Sequence, residues 1–194
     1  MKNRIITISR EFGSGGRTVG KIAAQKLGVP CYDQELIREI AGQSGFTEDY
    51  VAEQSECTRH GNWIANAFSE GSLGGFSNQD YLWIVQRRVI LKLAQEESCV
   101  IVGRCADYIL GEEADCLRVF IHADPAKRAE RIVKVYGDTG ELPEKRVRDK
   151  DRRRAAYYQF YTDMKWGEAR NYHIALDSGA LGIEKCAELI TSLY

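Results

Sequence analysis

The stretch ITISREFGSGGRTVGKIAAQKLG, residues 6–28, decides the fold of this chain. It opens on an apolar, β-branched run at 4–9, which predicts a buried strand, and it continues as an amphipathic helix over 16–27. Gly13, Gly15 and Gly16 lie between the two. Glycines in that place let backbone amides and the positive end of a helix surround a phosphate. The stretch therefore predicts a phosphate-binding loop; the alternative is a turn that only joins strand to helix.

This loop departs from the usual pattern G-x-x-x-x-G-K-[ST]. In the register that fits the strand and the helix, Arg10 stands at the first glycine and Gly16 stands at the lysine. We expect Arg17, one position later, to supply the missing cation, and Thr18 to offer a hydroxyl to Mg²⁺. The residues predicted to bind the ATP phosphates are Gly13, Ser14, Gly15, Gly16, Arg17 and Thr18.

Four further short segments predict strands, at 31–32, 99–103, 117–121 and 173–176. Helical patterns separate them, which is typical of parallel strands in a sheet that is covered on both faces. A length of 194 residues suits one domain, 1–194. The stretch 58–80 is rich in glycine, serine and asparagine but also holds aromatic residues. We interpret it as a long loop near a site or as a partner-binding segment.

Composition argues against several classes of function. The net charge of −1 gives no overall attraction to nucleic acid or to a membrane surface. No segment approaches the roughly 20 apolar residues that cross a bilayer, and the opening MKNRIITISRE lacks the features of a signal peptide. The six cysteines form no C-x-x-C pair, so we expect reduced, buried thiols and no metal cluster. These features predict a cytoplasmic protein.

The segment EKRVRDKDRRR, residues 144–154, carries seven basic and three acidic side chains. Cations at this density repel each other, and a polyphosphate would relieve the repulsion. A solvated charged helix has the same composition and is the alternative. Binding of nucleic acid is disfavoured because no aromatic residues are interleaved with the basic ones.

The motifs VIVGRCADYIL (100–110), LRVFIHADPAKRAERI (117–132), RDKDRRRAA (148–156) and LDSGALGIEK (176–185) follow the glycine loop in this order. Together with the loop they resemble the cytidylate kinases, and the loop itself is more similar to the cytidylate kinase-like family of P-loop nucleoside monophosphate kinases. The resemblance implies a P-loop NTPase-type α/β fold, with a five-stranded parallel sheet flanked by helices. It also implies an acceptor-binding lobe over about 33–95 and an arginine-rich lid over about 136–156.

The resemblance assigns further residues to the site. It places four in contact with the phosphoryl acceptor: Asp33, Arg104, Asp151 and Arg154. It makes four arginines candidates for neutralising phosphate charge during transfer: Arg17, Arg131, Arg148 and Arg152. The aspartate of the family's G-R-D motif is Cys105 in this chain, so a preference for cytosine is not implied. The turn at Asp177 and Ser178 is expected either near the base of the phosphoryl donor or as a helix cap.

The implied activity is transfer of the γ-phosphoryl group of ATP, with Mg²⁺, to a nucleoside monophosphate such as CMP or dCMP, or to a related small phosphorylated acceptor. The alternative is a nucleotide-binding sensor or partner protein with little or no turnover, which loss of the lysine favours. The expected partners are nucleotide and acceptor, with neither nucleic acid nor membrane. Self-association as a homo-oligomer through the aromatic residues of 58–80 stays open.

Overall fold

Five parallel strands form the sheet, as the sequence predicts. A computed structural model describes residues 3–54, 77–111 and 113–194. The strands are β1 (Arg4–Arg10), β2 (Cys31–Tyr32), β3 (Cys99–Val102), β4 (Asp115–His122) and β5 (Ile174–Asp177). Their order across the sheet is β2-β3-β1-β4-β5, and every neighbouring pair is parallel. β1 therefore lies at the centre, and the glycine loop leaves the sheet from its middle.

Helices cover both faces of the sheet. In chain order they are α1 (Gly16–Leu27), α2 (Gln34–Ser44), α3 (Glu48–Gln54), α4 (Asn78–Glu96), α5 (Ala106–Leu110), α6 (Pro125–Tyr136), α7 (Pro143–Thr162), α8 (Ser178–Leu181) and α9 (Ile183–Ser192). A short 3₁₀ helix, Ala169–Asn171, precedes β5. Successive side chains of a strand point to opposite faces, so Ile5 packs with α2 and α4 while Ile6 packs with α1 and α9.

Helix α4 begins earlier than the sequence predicts. Ser77 and Asp80 form a capping box, in which the Ser77 hydroxyl accepts a hydrogen bond from the Asp80 amide at 3.1 Å and the Asp80 carboxylate accepts one from the Ser77 amide at 3.2 Å. The prediction of a loop over 58–80 is therefore wrong at its end, because 78–80 are helical. The part of that prediction at 58–76 lies outside the described residues.

Candidate active site

The glycine loop joins the end of β1 to the start of α1, with a backbone that only glycine adopts easily. Gly13 and Gly15 have φ angles of +81° and +80°, in the left-handed region. A Cβ atom at Gly13 would lie 2.7 Å from the carbonyl oxygen of Arg128. Because that oxygen belongs to the backbone, it cannot move aside as a flexible side chain could. The hydroxyl of Ser178 donates to the carbonyl of Ser14 at 2.5 Å and holds the loop from the β5 side. The predicted loop thus has a defined conformation that requires its glycines and is held by contacts with other elements.

The first turn of α1 presents backbone amides that the helix itself does not use. Its N-cap is Gly15, and no side chain of the described residues caps it. The first helical hydrogen bond at this end runs from the Val19 amide to the Gly15 carbonyl. Such amides and the positive end of the helix attract phosphate. The cradle, free of Cβ atoms at its glycines, fits a polyphosphate.

Arg17 turns away from the loop towards the end of β2. Its Nε lies 2.5 Å from Oδ2 of Asp33, and the two side chains form an ion pair. The Asp33 side chain is 4% exposed and that of Arg17 is 40% exposed. The structure therefore brings together one residue predicted for the ATP phosphates and one predicted for the acceptor.

Arg131 reaches the loop from α6. Its Nη2 donates to the Thr18 hydroxyl at 3.1 Å, and its Nε lies 3.2 Å from the position that a Cβ of Gly15 would take. The described residues contain no group of three His, Cys, Asp or Glu side chains that could hold a metal ion. Thr18 fits Mg²⁺ only as one ligand beside phosphate oxygens, and its oxygen already accepts a hydrogen bond from a cation in this structure.

Arg128 is a buried residue of the site that the sequence analysis did not select. Its side chain is 7% exposed, and its Nε donates to the Ala123 carbonyl at 2.9 Å and lies 3.3 Å from Glu11. Its Nη1 donates to the Phe12 carbonyl at 3.2 Å and to Asp151. Burial raises the pKa of Glu11 above its ordinary value, although Arg128 and the Ala123 amide favour the carboxylate. Arg128 thus joins the loop to two other elements.

Helix α7 is fastened to the loop through the same cluster. Asp151 accepts from Arg128 Nη1 at 2.5 Å and from the Phe12 amide at 2.7 Å, so both of its oxygens contact this cluster. Arg154, three residues on, donates to the Arg10 carbonyl at 3.1 Å and lies over the Phe12 ring. The structure places both residues at the loop; their contact with an acceptor stays a prediction.

A small pocket lies beside the loop, at the carboxyl ends of β1 and β3. Its volume is about 20 Å³, and it is lined by Ser9, Arg10, Gly103, Arg104, Cys105, Arg154, Tyr157, Tyr158 and Trp166. Ligands of open parallel sheets bind at this end of the strands. Three of the lining residues are arginines: Arg10, Arg104 and Arg154.

The predicted residue Arg104 enters this pocket from a strained turn. Arg104 and Cys105 have φ angles of +60° and +54°, a backbone that residues other than glycine rarely adopt. Gln86 stabilises the turn by donating to the Arg104 carbonyl at 2.9 Å. Strain of this kind persists where the surroundings impose it, often at functional sites. The neighbouring Asp107 is buried and accepts from the Tyr158 hydroxyl at 2.8 Å, and burial raises its pKa.

Two predicted arginines lie apart from the loop. Arg148 and Arg152 are exposed on α7, and Arg152 lies 3.8 Å from Asp149 of the same helix. Their contact with phosphate stays a prediction. Asp177 caps α8 by accepting from the amides of Gly179 and Ala180, which bears out the capping alternative.

The sheet order, the glycine loop and the adjoining arginine-lined pocket define a fold of the P-loop kinase type. The chain belongs to the cytidylate kinase-like family, whose model matches residues 5–180. It is similar to a cytidylate kinase from Archaeoglobus fulgidus, with 28% identity over 188 residues that cover 95% of this chain and 91% of the relative. The family membership confirms the resemblance and supports a kinase-like phosphotransferase.

Solved structures agree with this assignment of the fold. The crystal structure of an uncharacterized protein from Eubacterium ventriosum has a TM-score of 0.74 and 28% identity, over 98% of both chains. A shikimate kinase from Acinetobacter baumannii, in complex with shikimate, has a TM-score of 0.54 and 17% identity, over 98% of this chain and 92% of that one. The second likeness shows the fold alone. Among the described residues, no helix is long and apolar enough to cross a membrane.

Proposed function

We propose that this chain is an ATP-dependent kinase that transfers the γ-phosphoryl group to the phosphate of a nucleoside monophosphate of the CMP or dCMP kind, or to a related small phosphorylated acceptor. One observation carries the proposal. The glycine loop and the arginine-lined pocket are adjacent at the carboxyl end of β1, and Arg10 belongs to both. A phosphoryl donor on the loop would thus face an anionic acceptor in the pocket.

The phosphoryl donor binds through the loop. Gly13, Ser14, Gly15 and Gly16 form the cradle around the start of α1, and the first-turn amides point at the phosphates. Arg131 lies beside this cradle and offsets phosphate charge, and Arg17, which pairs with Asp33 in this structure, would have to leave that partner to do the same. The Thr18 hydroxyl would hold Mg²⁺ together with phosphate oxygens, and the ion would supply further neutralisation of the charge on the transferred group.

The acceptor binds through its phosphate in the pocket. Arg104 and Arg154 hold that phosphate, because guanidinium groups pair with phosphate oxygens through parallel hydrogen bonds. The aromatic rings of Tyr157 and Trp166 line the same pocket and offer apolar surface next to the charged groups. Asp33 and Asp151 lie on two sides of the loop, where each would meet a hydroxyl of the acceptor.

The reaction then needs little covalent chemistry from the protein. An oxygen of the acceptor phosphate forms a bond to the γ-phosphorus, while the bond from that phosphorus to the bridging oxygen of the β-phosphate breaks and its electron pair leaves with ADP. The attacking oxygen is already anionic, so no general base is required. Positioning and neutralisation of charge carry the rate, and α7 as a lid would bring Arg148 and Arg152 towards the transferred group.

The test is ADP release from Mg·ATP with a panel of acceptors: CMP, dCMP, UMP, AMP, GMP and several phosphorylated sugars. We expect an acceptor-dependent rate that is highest with one nucleoside monophosphate. Arg104→Ala should raise the KM for that acceptor, whereas Arg170→Ala, whose side chain is 80% exposed, serves as the matched control. Binding of ATP without ADP formation for any acceptor would overturn the proposal and favour a nucleotide sensor.

A further inference from the structure

The space beside Gly16 is occupied by the side chain of another loop residue. A Cβ atom at Gly16 would lie 2.5 Å from Cβ and 3.0 Å from Cγ of Arg10, and 3.3 Å from Cβ of Ile121. Gly16 is the first residue of α1 and does not have a positive φ angle. Its backbone would therefore accept any residue, and the stem of Arg10 is what requires glycine there.

Arg10 and Gly16 are the two positions at which the loop departs from the usual pattern. That pattern has glycine where Arg10 stands and lysine where Gly16 stands. The two departures are linked by this contact. The aliphatic part of the Arg10 side chain fills the volume that a lysine side chain at position 16 would occupy. In this chain the cationic side chain that fills this volume is attached at the end of β1 and not at the start of α1.

Arg10 is buried beside the loop and lines the pocket proposed for the acceptor. The residue is 8% exposed, and it lines the pocket together with Arg104 and Arg154. Arg17 is paired with Asp33, and Arg131 contacts Thr18 on the α6 side. Of these three loop-side cations, Arg10 is the one that also lines the pocket.

We infer that Arg10 takes the role of the absent lysine and binds the terminal phosphates of the phosphoryl donor from the β1 side of the loop. The inference rests on the proposed function. Arg10 thereby takes the phosphate-binding role that the sequence pattern assigned to Arg17. A guanidinium adds a planar, two-pronged contact where lysine offers a point charge.

The test compares Arg10→Met with Arg10→Lys, because methionine keeps the packing on Gly16 while it removes the charge. Affinities for ATP and ADP are measured by calorimetry, and thermal unfolding confirms that each variant folds. We expect Arg10→Met to weaken both affinities about ten- to a hundredfold and Arg10→Lys to weaken them much less. Arg170→Ala, on an exposed side chain, is the matched control.

A swap tests the shared space. Gly16→Lys alone should lose ATP affinity because of the contact with Arg10, and Arg10→Gly alone should lose it with the charge. The double variant should bind ATP better than either, which additive effects would not allow. Wild-type affinity in Arg10→Met, an increase only in the KM for the acceptor, or additive losses in the double variant would each overturn the inference. Failure of the wild-type chain to bind ATP would instead overturn the proposed function, and the inference with it.

Discussion

Asp151→Ala should destabilise the protein well beyond an ordinary surface change. Asp151 accepts hydrogen bonds from the Phe12 amide and from Arg128, whose side chain is 7% exposed. Hydrogen bonds to a charged group each contribute about 1.5–3 kcal/mol to stability. Removal of the Asp151 carboxylate also takes one negatively charged partner away from the buried Arg128. Arg128 keeps Glu11 and two carbonyl partners, so the cost should lie near the low end of the sum, about 3 kcal/mol.

The assay is thermal and denaturant unfolding of three variants. For a chain of this size about 3 kcal/mol lowers the Tm by roughly 6–12 °C. Asp151→Asn should fall between Asp151→Ala and wild type, because the amide oxygen still accepts from Phe12. Asp149→Ala is the matched control two residues away: its carboxylate lies 3.8 Å from an exposed arginine, so the change should stay within about 0.5 kcal/mol. Equal Tm values for Asp149→Ala and Asp151→Ala would refute the reasoning.

Three further predictions concern the loop, the buried carboxyl group and the lid. Gly13→Ala should lower both stability and ATP affinity, because its Cβ would meet backbone 2.7 Å away at positive φ; Gly42→Ala, in open space on α2, should instead stabilise by about 0.5–1 kcal/mol. Burial raises the pKa of Asp107 above 3.8, so the folded protein retains a proton that the unfolded chain releases, and stability falls as pH rises through that window. The Tm of Asp107→Asn relative to wild type should therefore increase from about pH 4 to about pH 7. Joint replacement of Arg148 and Arg152 by alanine should lower kcat and leave the Tm unchanged, because both side chains are exposed.

Each of these has an outcome that contradicts it. Unfolding curves that coincide for the two glycine variants would show that the loop tolerates a Cβ. A pH-independent difference between Asp107→Asn and wild type would mean that this carboxyl group titrates alike in both states. An unaltered kcat in the double arginine variant would remove α7's exposed face from the reaction.

Much of the fold was readable because its signals are local. Apolar β-branched runs and helical periodicity gave all five strands, and glycines at 13, 15 and 16 gave the loop. Boundaries that depend on caps were less accurate: α4 starts at Asn78 because Ser77 and Asp80 pair, a signal hidden in a stretch that looked like loop. Such caps use the same serine and aspartate residues that turns use.

The arrangement of charges in the site was not readable, because it depends on contacts between distant elements. Sequence spacing favoured Arg17 as the replacement cation, yet its partner is Asp33, which directly follows β2. The sequence analysis did not select Arg128, and it is the burial of this residue and its contact with Asp151, 23 residues later, that place it in the site. The usable signal was its spacing from Arg131, since residues three apart share a helix face.

Helix α7 connects the two halves of the proposed site, which has a consequence for binding. Asp151 and Arg154 hold the loop, and the family resemblance gives both to the acceptor. A carboxylate has about four acceptor positions, so Asp151 can accept a hydroxyl while it keeps the loop. Occupancy of the acceptor pocket should then stiffen α7 and the loop together. Because such coupling is reciprocal, a non-hydrolysable ATP analogue and the acceptor should raise each other's affinity by the same factor, about five- to tenfold.

Calorimetric titration of each ligand in the presence and absence of the other measures this factor. In Asp151→Ala the coupling should fall towards one, even where each ligand alone still binds, because the helix no longer transmits the position of the loop. Asp149 lies on the same helix and its carboxylate faces Arg152 of that helix, so Asp149→Ala should keep the wild-type coupling factor. Identical coupling in wild type and Asp151→Ala would show that the loop and the pocket communicate by another route, for which Arg10, shared by both, and Arg154, which lines the pocket and donates to the Arg10 carbonyl, are direct connections.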